Sequence, residues 1–98
     1  MFLFGPSGHW WNRDTQKLNA FTYRLYQYAS DIRGPYYYYV YECDQYDYFC
    51  TEIYSKAALS IERDVGEIIP GSEKLVADPA TDTLALEING EVVYTYRP

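Results

Sequence analysis

Asparagine followed by glycine is the strongest short-range hairpin signal in a sequence, because both residues tolerate the positive φ angles of a two-residue turn. Here Asn89-Gly90 follows the alternating residues Leu84, Leu86 and Ile88, and Val92 to Tyr96 returns from it. A two-residue turn sets Ile88 opposite Glu91 and Leu86 opposite Val93. Leu84, Leu86, Ile88 and Val93 then form the face expected to be buried. Ala85, Glu87, Val92, Tyr94 and Tyr96 form the other. That second face is apolar enough to require cover from another element or a second chain.

A chain of 98 residues is expected to form a single domain over 1–98, with a core that excludes roughly 60–65% of the unfolded surface from water. Hydrophobic residues make up 48% of the chain, which argues against intrinsic disorder. No apolar run approaches the roughly 20 residues of a membrane-spanning helix. Met1-Phe2-Leu3-Phe4 is too brief for a signal-peptide core and has no basic start before it. The expectation is an intracellular, cytoplasmic protein without membrane association.

The rest of the pattern predicts an α+β fold. Phe2 to Phe4 reads as a short strand closed by the breaker cluster Gly5-Pro6-Ser7-Gly8. Leu18, Phe21, Leu25, Tyr28, Ala29 and Ile32 recur at three- and four-residue spacings, the stripe of a helix over about 15–32. Asp14 or Asn12 would cap it, Trp10 or Trp11 would pack back on its first turn, and Gly34-Pro35 would end it. On that helix Tyr23 and Tyr26 would point away from the stripe, and Arg13, Lys17 and Arg24 would form a solvated edge. A tyrosine-rich hairpin follows over about 36–54, turning at 44–47.

Two registers are open for this hairpin. The one placing Cys43 opposite Cys50 sets Val40 against Ile53 and gathers Tyr38, Val40, Phe49 and Ile53 on a core face. Tyr37, Tyr39, Tyr41, Cys43, Cys50, Glu52 and Tyr54 then share the other face. The alternative, Glu42 opposite Tyr48, separates the cysteines and scatters the aliphatic residues. Residues 55–65 fit a short second helix or a strand through Leu59-Ser60-Ile61, and 74–77 fits a short strand. The fold expected is two hairpins (about 36–54 and 83–96) in a small antiparallel sheet packed on one long helix (about 15–32), with a possible short helix at 55–65.

Little in the chain points to catalysis. His9 is the sole histidine and has no identifiable partner to orient its ring, so an aromatic neighbour of Trp10 and Trp11 is the expected role. Two cysteines do not complete a zinc site, and the carboxylates of Glu42, Asp44, Asp47 and Glu52 do not match a calcium loop. Gly5-Pro6-Ser7-Gly8 lacks the lysine of a phosphate loop. No cofactor or metal is expected. Cys43 and Cys50 default to reduced thiols in a cytosolic setting, and a cross-strand disulfide fits only the first register.

Tyrosine is the anomaly, at 13 of 98 residues. It combines a large apolar ring with a polar tip and is enriched at interface hot spots. The net charge is −6, and no Lys or Arg lies between Arg33 and Lys56 while Glu42, Asp44, Asp47 and Glu52 do. Direct nucleic-acid binding needs the opposite sign. The leading expectation is a non-enzymatic protein-binding module that occludes a basic surface of a partner, as small acidic inhibitors of nucleic-acid enzymes from bacteriophages and small immunity proteins do; that comparison is one of size and composition. Its contacts would be Tyr37, Tyr39, Tyr41, Asp44, Asp47 and Glu52, with Tyr23 and Tyr26 secondary. The alternatives are self-association as a homodimer, through Val92, Tyr94 and Tyr96 or the tyrosine strand, and a small enzyme or ligand-binding protein around His9.

Overall fold

A computed structural model describes residues 8–31 and 33–98, so the strand expected at Phe2 to Phe4 and the stripe residue Ile32 lie outside the described residues. The chain is built from β1 (His9–Leu18), β2 (Phe21–Ala29), β3 (Tyr36–Cys43), β4 (Cys50–Ala57), α1 (Ala58–Val65), β5 (Lys74–Asp78), β6 (Thr83–Ile88) and β7 (Glu91–Tyr96). Two antiparallel sheets result, ordered β1-β2-β3-β4 and β5-β6-β7. The fold is therefore mostly β, which overturns the α+β expectation of a sheet packed on a long helix.

The segment read as a helix over 15–32 is the β1–β2 hairpin, turning at Asn19-Ala20 with Leu18 paired to Phe21. Asn19 takes the positive φ of 58° that asparagine tolerates. The misleading stripe has a physical origin. β2 is an inner strand with the core on one face and the rings of neighbouring strands crowding the other, and all of its residues after Phe21 are buried or half-buried. A strand wetted on neither face loses its period of two, and its apolar positions then match a helix as well. Thr22, Tyr23, Tyr26 and Tyr28 nonetheless carry the β-branched and aromatic composition of a strand. Gly34-Pro35 makes the turn into β3 in place of a helix end, and its peptide bond is cis.

The β3–β4 hairpin adopts the register in which Cys43 opposes Cys50, and the two form a disulfide. A bulge at Ile53 then shifts the pairing, so that Val40 meets Tyr54 where Ile53 was expected. Tyr54 consequently lies on the core side against Tyr94, ring centroids 4.6 Å apart, and Ile53 also packs on the core. Phe49, expected in the core, is 77% exposed. Residues 55–65 resolve into the end of β4 and the helix α1, which buries Ala58 and Ile61. Ala57 precedes it without a side-chain cap, so Ser55 does not cap it.

Asn89-Gly90 turns the β6–β7 hairpin as expected, with Ile88 opposite Glu91. A bulge at Val93 again changes the parity: Leu86 meets Tyr94 and Leu84 meets Tyr96. Tyr94 and Tyr96 thus turn inward and pack on the core, and the apolar outer face inferred for this hairpin does not form. The Asn89 side chain does more than permit the turn. It accepts from Ile69 N and Ser72 Oγ and donates to the carbonyls of Val65 and Glu67, fastening the segment after α1.

Both sheets face one buried cluster. Leu18, Tyr23, Leu25, Tyr38 and Val40 come from the larger sheet, Leu75, Leu84, Leu86 and Ile88 from the smaller, and Ala58 and Ile61 from α1. Hydrogen bonds cross between the sheets at its margins. Tyr38 OH donates to Glu73 Oε2 at 2.7 Å, and Glu73 is only 6% exposed. Tyr23 OH and Tyr96 OH both donate to Glu42 Oε2, at 2.7 and 3.1 Å. Tyr94 OH donates to the carbonyl of Ile53, and Leu75 N donates to Asp14 Oδ2.

Burial, and then the hydrogen-bonded carboxylates of Glu42 and Glu73, push the Tyr23 and Tyr38 hydroxyls far above their ordinary value of 10. Between that value and the raised one, the unfolded chain binds fewer protons than the folded chain, so stability is intact below pH 10 and falls as pH rises beyond it. Alkaline titration is expected to give a cooperative step in phenolate absorbance that coincides with loss of the sheet's circular dichroism. Gradual ionisation of every tyrosine near the ordinary value, with the sheet intact, would contradict this.

Candidate interaction surface

The outer face of the four-stranded sheet follows from strand parity. β3 turns Tyr38, Val40 and Glu42 toward the core, so Tyr37, Tyr39 and Tyr41 face outward. Their partners on β2 are Tyr28, Tyr26 and Arg24, and β1 adds Trp10 and Asn12. Trp10, Tyr26, Tyr28, Tyr39 and Tyr41 form one continuous aromatic layer. Trp10 lies 4.6 Å from Tyr28 and 5.6 Å from Tyr39 between centroids, and Tyr41 lies 6.0 Å from Tyr26 and 6.3 Å from Tyr39. Offset and edge contacts at these separations are the favoured geometries for aromatic pairs.

Six of the eight contact residues expected from sequence therefore meet on or beside this face, though not all with the role expected. Tyr37, Tyr39 and Tyr41 are half-buried members, and Glu52 stands opposite Tyr41 at its edge. Tyr26 shares the face but is 7% exposed, the floor of the layer more than its surface. Asp47 reaches over from the β3–β4 loop to pair with Arg24 at 2.8 Å. Asp44 serves its own loop, where its Oδ1 accepts from the backbone N–H groups of Tyr46 and Tyr48. Tyr23 lies on the opposite face with 0% exposure, so it has no surface to offer a partner.

The acidic patch is correspondingly weaker than its sequence suggests. The Asp47 charge is met by Arg24, and the Asp44 carboxylate is engaged within the turn, leaving Glu52 as the carboxylate of this edge without an ion pair among the described residues. Burial, above all, raises the hydroxyl pKa of Tyr26, Tyr39 and Tyr41, and the Glu52 charge adds to it for Tyr39 and Tyr41. These phenols are therefore neutral hydrogen-bonding groups on an apolar layer at ordinary pH.

Sequence reasoning missed the loop beside this face. Tyr46, Tyr48 and Phe49 are 67%, 72% and 77% exposed, the most exposed large hydrophobic side chains among the described residues. The loop that holds them is closely tied. Cys43–Cys50 closes its base, Asp44 N donates to the carbonyl of Phe49, and Asp47 N donates to the carbonyl of Asp44. A visible signal existed: six residues between two cysteines, two of them aspartates and three aromatic, form a turn too short to bury its side chains. Trp10 and Tyr28 were hidden because the helix reading assigned them to other neighbours.

His9 stacks on Trp11 at 5.9 Å, on a face other than that of the aromatic layer. No family model, curated protein or solved structure matches the chain.

A disulfide closing so short a loop restricts the unfolded chain by about 2–3 kcal/mol. Reduction is expected to lower the unfolding free energy in urea by that amount and to speed amide exchange at Tyr46 and Tyr48. An unchanged urea midpoint with both thiols reduced would contradict the loop's description.

Proposed function

We propose that the protein is a binding module that seats the aromatic layer of its four-stranded sheet and the adjoining 44–49 loop on a partner protein, occluding the surface it covers. The observation that carries this reading is the loop itself: three highly exposed aromatic side chains held at the end of a disulfide-closed, internally hydrogen-bonded turn. Exposed apolar rings are costly in water, and a rigid display lowers the entropy lost when they are buried. Tyrosine and phenylalanine anchors entering a partner's pockets, with the half-buried tyrosines as a flat surround, match the anatomy of a hot spot and its rim.

The kind of partner follows from charge. Glu52 and the net charge of −6 favour a basic surface, and the Arg24–Asp47 pair at the margin makes the contact mixed, not purely acidic. Inhibition of a protein that uses a basic groove is the activity proposed for such a module. The cytoplasmic setting expected from sequence gains no support from the disulfide, since such bonds persist mainly in oxidising compartments. No helix among the described residues is long and apolar enough to cross a membrane. For self-association, Tyr94 and Tyr96 pack inward and β3 is an inner strand, while Val92 stays 57% exposed on the last hairpin.

The test is paired capture from the native host's lysate with the wild-type chain and a Tyr48→Ala/Phe49→Ala variant. A specific protein retained by the wild type should be lost from the variant, with affinity lowered roughly 30-fold or more, about 2 kcal/mol. Leu59→Ala, an exposed change on α1, should leave capture unchanged. Equal retention by the loop variant would remove this reading.

A further inference from the structure

On the core side of the large sheet, away from the tyrosine layer, a cavity of about 270 Å³ opens between β1–β3, α1 and the segment 66–73. Its volume is close to the lower end for small-molecule sites. Its base is polar, ordered and largely buried. Arg13 donates through Nε and Nη2 to Gln27 Oε1 at 2.9 and 2.5 Å, Gln27 Nε2 donates to Tyr38 OH at 3.4 Å, and Tyr38 OH donates to Glu73. Gly71 N completes the set on the second oxygen of Glu73. Tyr36, Ile68, Pro70 and Ala58 supply apolar wall.

The charges in this cavity do not cancel. Arg13 lies 3.9 Å from Glu73, so these two largely compensate one another, and the Arg13 guanidinium also sits over the Trp11 ring at 5.9 Å. Glu62 from α1 and Glu67 from the loop after it also line the cavity, and neither carboxylate has an ion-pair or hydrogen-bond partner among the described residues. The cavity thus presents a net negative mouth above aromatic and aliphatic walls. No three carboxylates among the described residues come close enough together to hold a metal ion. The spread of charge over a cavity of this size, with part of its wall apolar, suits a larger, organic cation.

We infer that this cavity binds a guanidinium group carried on a short alkyl chain, with Glu62 and Glu67 pairing to the cation and the Tyr36 ring packing on its planar face. Guanidinium is the best match of the common organic cations. Its flat, weakly hydrated head stacks on aromatic rings and forks onto carboxylates, whereas an ammonium is a strongly hydrated point charge. The alkyl stem would lie along Ile68 and Pro70. The same chemistry is presented by a small alkylguanidine and by an arginine side chain of another protein. The site does not depend on the tyrosine-layer reading, since its walls lie on the opposite face of the sheet.

The experiment is an amide-resolved NMR titration of the full chain with n-butylguanidinium, beside its neutral isostere n-butylurea. Saturable shifts confined to the cavity residues, including Glu62, Glu67 and Ile68, are expected with the cation, and binding at least about tenfold weaker with the urea. A Glu62→Gln/Glu67→Gln variant, altered only at the mouth, should weaken the cation at least about tenfold while leaving the spectrum elsewhere unchanged. A capped tripeptide with a central arginine separates the sources. Tighter binding than butylguanidinium assigns the site to an arginine of a protein, and weaker or absent binding assigns it to a free alkylguanidine. Equal binding of the urea, shifts that never saturate, or undiminished binding by the double variant would overturn the inference; the urea comparison decides the matter on the native chain should the variant misfold.

Discussion

A carboxylate at the margin of a thin core must be met by donors, and in this protein tyrosine hydroxyls meet the half-buried Glu42 and the buried Glu73 there. Glu42 on β3 receives Tyr23 from its own sheet and Tyr96 from the other, while Glu73, just before β5, receives Tyr38. A hydrogen bond to a charged group is worth roughly 1.5–3 kcal/mol, and leaving one such group buried without donors costs at least as much. The two sheets are therefore held in a particular alignment, not merely pressed together by apolar contact. Much else depends on that alignment: Tyr94 reaching the carbonyl of Ile53, Asp14 reaching the N–H of Leu75, and the cavity floor built on Tyr38 and Glu73.

The abundance of tyrosine divides accordingly into distinct uses. Tyr23, Tyr38 and Tyr96 place their rings in or against the core and donate a hydrogen bond to a carboxylate. Tyr26, Tyr28, Tyr39 and Tyr41 lie against one another and Trp10 as a layer over the outer face of the large sheet. Tyr46 and Tyr48 are left in water at the loop tip with Phe49. Only the last use lacks an internal explanation, which is why the loop and not the composition supports the proposed binding role.

What could be read from the sequence was local and strand-like. The Asn89-Gly90 turn, the β3 strand, the register that sets Cys43 opposite Cys50 and the strand after Ser72 all follow from turn chemistry and alternation, whereas the disulfide between those cysteines replaces the reduced thiols expected by default. What could not be read was parity through a bulge: one extra residue at Ile53 and another at Val93 carried Tyr54, Tyr94 and Tyr96 to the core side. The β1–β2 hairpin was disguised for a different reason, since an inner strand whose outer side chains are shielded by neighbouring rings shows no alternation to read. Of the candidate site, the tyrosines of β3 were legible from composition and spacing. Trp10 and Tyr28 were not, because their neighbours are set by tertiary pairing. Of the four acids of the 42–52 segment, Glu42 and Asp47 are taken up by Tyr23, Tyr96 and Arg24, partners that only the fold supplies, and Asp44 by the backbone of its own turn.

The dependence of the fold on these carboxylate–tyrosine contacts is tested most directly by a double-mutant cycle on Tyr38→Phe and Glu73→Ala, with urea unfolding of the four chains. A coupling energy of about 1.5 kcal/mol or more between the two positions is expected, the magnitude of a buried hydrogen bond to a charged group. Additive losses, within roughly 0.5 kcal/mol, would mean that Tyr38 and Glu73 stabilise the protein independently and that the bond between them does not hold the sheets in register.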